Sequence, residues 1–226
     1  MKTKHLLLFP ILLLAGLASG QSLPSISVLG DSYSTYEGYV QPAGNRLWYR
    51  VAEPRNDVSS VEQTWWHILC AEHGYRLCMN NSYSGATICN TGYHNEDYTD
   101  RSFITRMSNL GNPDILLIFG GTNDAWAGVP LGDFVYENWT KEQLYEFRPA
   151  MAYMLHYCTT RYINVPVYFL LNSELSDDIN TSSQEICDHY GVTLIALHDI
   201  DKQQQHPSIA GMRAIADQVY DAIQGR

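Results

Sequence analysis

Four short stretches carry the groups that acyl transfer needs: Gly30-Asp31-Ser32, Ser84-Gly85, Gly121-Thr122-Asn123-Asp124 and His206-Pro207. Ser32 offers a hydroxyl nucleophile. Gly30 lets the chain turn sharply after an apolar segment, so that Ser32 opens a helical turn whose N-terminus favours developing negative charge. Gly85 lets a backbone amide approach an oxyanion closely, and Asn123 carries an uncharged NH₂ that donates to the same oxygen. Of eight histidines, His206 is the candidate base, because Pro207 fixes the chain direction just before the last helix. His67, His73, His156 and His189 fall in or near helical stretches, His94 sits in a polar loop, and His198 is the nearest competitor. A neutral imidazole at His206 takes the Ser32 proton and returns it to the leaving alcohol. Each fragment alone also reads as an ordinary cap or turn. Their order, and the apolar runs beside them, give them weight. Asp31 and Asp124 read as residues that fix loop geometry through backbone hydrogen bonds.

The elements that must position these groups alternate between strand and helix. Ser25–Leu29 is a β-prone segment ending at Gly30. Asp114–Phe119 and Val165–Leu171 are continuous apolar runs, as expected of strands covered on both faces. Tyr75–Met79 and Val192–Leu197 are further strand candidates. Helices are expected over Val61–His73, stopped by Gly74, over Lys141–Arg161, bent or divided by Pro149, over Ser182–His189, closed by Gly191, and from Ser208 to Ile223. The alternation predicts an α/β chain: a three-layer α/β/α sandwich on a parallel sheet of about five strands. Each motif follows a strand candidate, and ligands of open parallel sheets bind at the strands' carboxyl ends. Four distant pieces are thereby expected on one rim.

At this point the residues resemble the SGNH hydrolase superfamily, the GDSL esterases and lipases. Gly30-Asp31-Ser32 matches its first block, Gly85 its second, Gly121-Thr122-Asn123-Asp124 its third and His206 its last. The resemblance covers essentially the whole chain beyond the leader and implies a flavodoxin-like fold. It also implies Ser32 as nucleophile, His206 as base, and an oxyanion hole from the Ser32 amide, the Gly85 amide and the Asn123 side chain. One departure stands out. The family usually places an aspartate three residues before the histidine, and here that residue is Gln203. Asp201 reaching the ring, a neutral carbonyl orienting it, and an acid from elsewhere all remain open, with Asp201 preferred as the third catalytic residue.

Around these motifs, Thr35–Ser60 holds Tyr36, Tyr39, Trp48 and Tyr49, and the stretch after the third motif holds Trp126, Phe134, Tyr136 and Trp139. Such rings stack on sugars or, as readily, cover a core. Neither stretch offers the long aliphatic surface of a lipase lid. Lys2 and Lys4, the apolar run Leu6–Leu17 and Ala18-Ser19-Gly20 read as a secretory leader spanning 1–20, cleaved before Gln21. Residues 21–226 then form one domain of about 200 residues. The net charge of −10 argues against nucleic-acid or anionic-membrane partners, and no later segment is long and apolar enough to insert stably in a bilayer. Five cysteines show no zinc spacing; buried thiols and one or two disulfides are equally compatible with them. The expected protein is an exported serine esterase, using no cofactor and no metal, that removes acyl groups such as acetyl from a small-molecule or glycan ester. The alternatives are a lipase, lysophospholipase or thioesterase of the same superfamily, a glycan-binding protein that has lost catalysis, and metal-dependent phosphoester hydrolysis through Asp31, Asp124 and His206.

Overall fold

The computed structural model describes residues 22–225; the leader expected over 1–20 lies outside them. Five parallel strands, β1 (Ser25–Gly30), β2 (Arg76–Ser82), β3 (Ile115–Gly120), β4 (Val167–Leu171) and β5 (Thr193–Ala196), form one sheet in the order β2-β1-β3-β4-β5. Successive side chains of a strand point to opposite faces. Leu116 and Ile118 of β3 therefore enter one core, while Leu117 and Phe119 enter the other. The first core is covered by α2 (Phe103–Arg106), α4 (Phe147–Arg161) and α5 (Asp177–Tyr190). The second is covered by α1 (Trp65–His73) and α6 (Ile209–Ile223), through Trp65, Leu69, Met212 and Ile215. Double coverage explains why β1 and β3 are buried along their whole length. It is the expected α/β/α sandwich.

Two boundaries depart furthest from expectation. The helix expected over Lys141–Arg161, bent or divided at Pro149, is instead divided at Glu146, which is extended, and α4 begins at Phe147. Pro149 lies in its first turn, where amides lack intrahelical acceptors anyway, so the helix accommodates it. Helix α5 starts at Asp177, five residues earlier than predicted: Ser176 is the extended N-cap residue, and Asp177 and Asp178 favour the positive helix end. All five cysteines are free, with Cys89, Cys158 and Cys187 buried, so the thiol reading holds over the disulfide one. No described helix is long and apolar enough to cross a membrane.

The short helix α3 (Thr122–Ala127) leaves β3 at the carboxyl rim of the sheet, and a 3₁₀ turn over Ser32–Ser34 leaves β1 there. A two-strand ribbon, β6 (Lys202–Gln203) with β7 (His206–Pro207), precedes α6. These three pieces and the loop after β2 surround the site.

Candidate active site

Gly30 ends β1 where a side chain has no room: a Cβ would lie 2.6 Å from Ser82 Oγ and 2.7 Å from Ser34 Cβ. Asp31 then caps the 3₁₀ turn, its carboxylate accepting the Tyr33 amide at 2.9 Å. Ser32 is thereby set at the first position of the turn, almost fully buried. Its Oγ lies 2.9 Å from Nε2 of His206. On the other side of the ring, Nδ1 is 3.0 Å from the carbonyl of Gln204. A carbonyl only accepts, so Nδ1 carries the proton and the Nε2 lone pair faces the Ser32 hydroxyl. That is the tautomer a general base needs.

The ring is held without a carboxylate, and the expectation for Asp201 is corrected. Asp201 accepts from the Ser208 hydroxyl, and its carbonyl accepts the Ser208 amide at 3.0 Å. It braces the N-cap residue of α6, whose hydroxyl in turn accepts from Gly211. The reason is the ribbon. Gln203 pairs with His206 and Lys202 with Pro207, so the turn is only Gln204–Gln205 and Asp201 lies at its open end, beside Ser208. Gln203, at the family's acid position, exchanges hydrogen bonds with Asp57 at 3.0 and 3.1 Å. Gln204 and Gln205 have φ of 51° and 63°, a left-handed conformation uncommon outside glycine and asparagine. This turn aims the Gln204 carbonyl at the imidazole. The Tyr33 hydroxyl donates to the Gln205 carbonyl at 2.6 Å, and Tyr49 donates to that of Pro207 at 3.0 Å.

Trp48 stacks on the imidazole with centroids 3.4 Å apart and planes 5° from parallel. Burial pushes the His206 pKa down to about 4, partly offset by the Gln204 carbonyl and reinforced by the positive charge of Arg55. The imidazole is therefore neutral at ordinary pH.

Gly85 has φ of 86°, and a Cβ there would meet no protein atom within 4 Å. The glycine is needed for its backbone conformation, which differs from the steric reason expected. Among the described residues, neither the Ser32 nor the Gly85 amide donates to a loop or turn carbonyl or to a side chain. Asn123 is buried and clamped: the Tyr93 hydroxyl donates to its Oδ1 at 2.9 Å, and its Nδ2 donates to Asp31 at 3.4 Å. One Nδ2 hydrogen is left over. The Asp124 carboxylate accepts from the Ile88 amide at 2.8 and 3.0 Å and the Cys89 amide at 3.3 Å, tying α3 to the loop that carries Gly85. Both aspartates thus serve backbone geometry, and burial raises them, Asp31 to about 7 and Asp124 to about 6.

Three further residues take roles that the sequence reading did not give them. Tyr93 lies in the loop that follows the second motif. Trp48, a candidate ring for sugar contact, stacks on the imidazole. Arg106, on the amphipathic turn of α2, is buried and reaches the carbonyls of Gly30 (3.1 Å), Asn81 and Arg101 (2.7 Å), joining the ends of β1 and β2. Burial depresses its pKa to about 9, although Asp31 acts to raise it. Of the eight rings proposed for sugar contact, only Trp48 and Trp126 line the cleft over Ser32. Tyr36 and Tyr49 are core, Tyr39 packs against Trp66, and Phe134, Tyr136 and Trp139 lie against the first core. The cleft holds about 430 Å³ and is bordered by Ser84, Gly85, Tyr93, Asn123 and three arginines, with no aliphatic side chain among its described lining residues.

A doubly covered parallel sheet with a serine–imidazole pair, a glycine amide and an asparagine amide on one rim is the architecture of an α/β/α hydrolase. The profile of the family described as GDSL-like Lipase/Acylhydrolase matches residues 24–223. The chain belongs to that family, and so to the SGNH hydrolase superfamily of ester hydrolases. A crystal structure of a GDSL-like lipase from Bacteroides ovatus is 60% identical, covering 91% of this chain and 100% of its own, with a TM-score of 0.89. One from Bacteroides uniformis is 52% identical, covering 91% and 98%, also at 0.89. A family two carbohydrate esterase from Cellvibrio japonicus shares the fold at 15% identity and TM-score 0.57, covering 90% of this chain and 62% of its own. Among curated proteins, none matches.

Proposed function

We propose that this chain is an exported serine esterase that removes short acyl groups, acetyl foremost, from a carbohydrate. The observation that carries the reading is the 2.9 Å approach of Ser32 Oγ to a correctly protonated His206, beside two spare donors of Gly85 and Asn123. His206 Nε2 takes the hydroxyl proton as Oγ bonds to the acyl carbon. The carbonyl π electrons move onto oxygen, where the Ser32 and Gly85 amides and Asn123 Nδ2 receive the charge. Collapse expels the alcohol, which takes the proton from His206. Water, deprotonated by the same imidazole, then releases the acid and restores Ser32. The Gln204 carbonyl supports the imidazolium less well than a carboxylate would, since hydrogen bonds between ions are stronger than those to neutral groups.

The cleft favours a sugar over a long acyl chain, because it is bordered by rings, hydroxyls and guanidinium groups. The same polarity weighs against the lipase, lysophospholipase and thioesterase alternatives. Export rests on Lys2, Lys4 and the apolar run Leu6–Leu17, and a secreted product beginning at Gln21 is its test by mass spectrometry. The enzymatic test compares acetate release from acetylated oligosaccharides with hydrolysis of long-chain esters. Wild type is expected to favour the former, and Ser32→Ala to lose at least ~10³-fold in kcat. Full activity in that variant, or no labelling of Ser32 by a fluorophosphonate, would overturn the proposal.

A further inference from the structure

The chain carries 24 acidic residues against 14 Lys and Arg, yet its cleft gathers Arg46, Arg55 and Arg101 against a single acid, Glu96. Arg101 is committed to Asp100 at 2.7 Å and lies over the Tyr98 ring. Arg46 and Arg55 are exposed, and among the described residues neither has a carboxylate within salt-bridge distance. The Arg46 backbone and the Arg55 side chain are nonetheless held in place. The Arg46 carbonyl accepts the Ser84 amide at 2.8 Å, next to Gly85, and the Asn45 side chain donates to the Ser82 carbonyl at 3.1 Å. The Arg55 guanidinium sits 4.5 Å from the centroid of Trp48, the ring that stacks on His206. Arg46 therefore borders the cleft beside Gly85, and the held guanidinium of Arg55 borders it on the side of the base.

We propose, building on the serine-esterase reading above, that the substrate is an ester of an acidic sugar: a carboxylate or sulfate near the acylated hydroxyl is received by Arg46 and Arg55. A guanidinium offers paired N–H donors that match the oxygens of either anion. The placement of Arg55 is otherwise unhelpful, because a cation beside His206 opposes formation of the imidazolium during attack. An anion seated against Arg55 cancels that opposition while it binds. The net charge of the molecule repels anions at long range, so selectivity comes from the cleft and from contacts shorter than the roughly 8 Å screening length of physiological salt.

The test uses purified protein and matched substrates: an acetylated galacturonic acid oligosaccharide, the same oligosaccharide with its carboxyls methyl-esterified, and an acetylated sugar with and without a sulfate. Acetate release is expected to be at least tenfold faster, as kcat/KM, on the charged member of one pair. The uronate pair would assign the carboxylate and the sulfate pair would assign the sulfate. In the Arg46→Gln/Arg55→Gln double variant the charged-to-neutral ratio is expected to fall toward one, and Arg→Lys at both sites to restore part of it. Equal turnover within both pairs overturns the proposal, as does a wild-type ratio that the double variant leaves intact. Failure of the underlying esterase reading looks different: no member of either pair is hydrolysed, or Ser32→Ala hydrolyses them as wild type does.

Discussion

His206 is a base whose affinity for protons is set by three neighbours acting in different directions. Burial and the Arg55 charge lower it, and the Gln204 carbonyl raises it, leaving a value of about 4. On p-nitrophenyl acetate, a neutral ester, kcat/KM is therefore expected to hold down to about pH 5 and to fall as His206 protonates near pH 4. Arg55→Gln removes a charge that opposes protonation, so the acid limb should move to higher pH. A wild-type limb near the ordinary imidazole value of about 6.5 would contradict the buried, carboxylate-free setting. Asn123 invites a second measurement. Its Oδ1 is fixed by the Tyr93 hydroxyl, so Tyr93→Phe releases the amide proposed to serve the oxyanion. A lost neutral hydrogen bond of about 1 kcal/mol predicts roughly a fivefold fall in kcat with little change in KM. A change confined to KM would place Tyr93 in substrate binding instead. Asp201 belongs to the opposite class. Asp201→Ala removes the acceptor of the Ser208 hydroxyl at the start of α6 and should lower stability by about 1 kcal/mol in chemical denaturation. Its kcat should stay within a few-fold of wild type, whereas a triad acid would cost about 10⁴.

At the scale of elements, the ribbon of β6 and β7 does the work that a side chain does in the family's usual pattern. Its two-residue turn needs positive φ at Gln204 and Gln205, as type I′ turns do, and Asn-Gly suits such turns far better than Gln-Gln. Replacing both residues with Asn-Gly should raise the melting temperature while keeping kcat, because the carbonyl that faces His206 belongs to the backbone. A large loss of kcat would show that the glutamine side chains contribute to the site. This turn also marks where the sequence stopped being legible. Strands such as Ile115–Gly120 announce themselves, since a strand covered on both faces must be apolar throughout. The motifs at their carboxyl ends inherit a common location from that topology, which is why Ser32, Gly85, Asn123 and His206 could be brought together in advance. Gln-Gln carries no turn signal, so the ribbon was invisible, and with it the displacement of Asp201. Tyr93, Trp48, Arg46 and Arg55 lie in irregular loops, where no period links a residue to the direction its side chain takes. Pro149 failed differently: proline is tolerated in a first helical turn, and a helix start misplaced by a few residues turned a compatible residue into an expected break.

Across the whole molecule, the site leaves a mark on stability through its buried ionisable groups. Asp31 and Asp124 have folded pKa values of about 7 and about 6, above the 3.8 of an unperturbed aspartate. Between about pH 4 and 7 the folded state therefore holds more protons on these two groups than the unfolded state does, and stability falls as pH rises through that window. His206 works the other way. Its folded value of about 4 lies below its unperturbed 6.5, so it adds stability as pH rises through the same range. Two carboxylates outweigh one imidazole, and Arg106, depressed to about 9, does not lose its proton until more alkaline pH. The melting temperature is thus expected to be higher at pH 5 than at pH 8. The two site variants separate the contributions. His206→Ala removes the opposing imidazole and should steepen the decline. Asp31→Asn removes the larger carboxylate contribution and should flatten it, while its amide, facing the Asn123 NH₂ with a donor, should also lower kcat. A melting temperature that rises from pH 5 to pH 8 in the wild type would mean that Asp31 and Asp124 are ionised in the folded protein throughout, and that Arg106 neutralises the buried cluster beneath Ser32 more fully than burial opposes it.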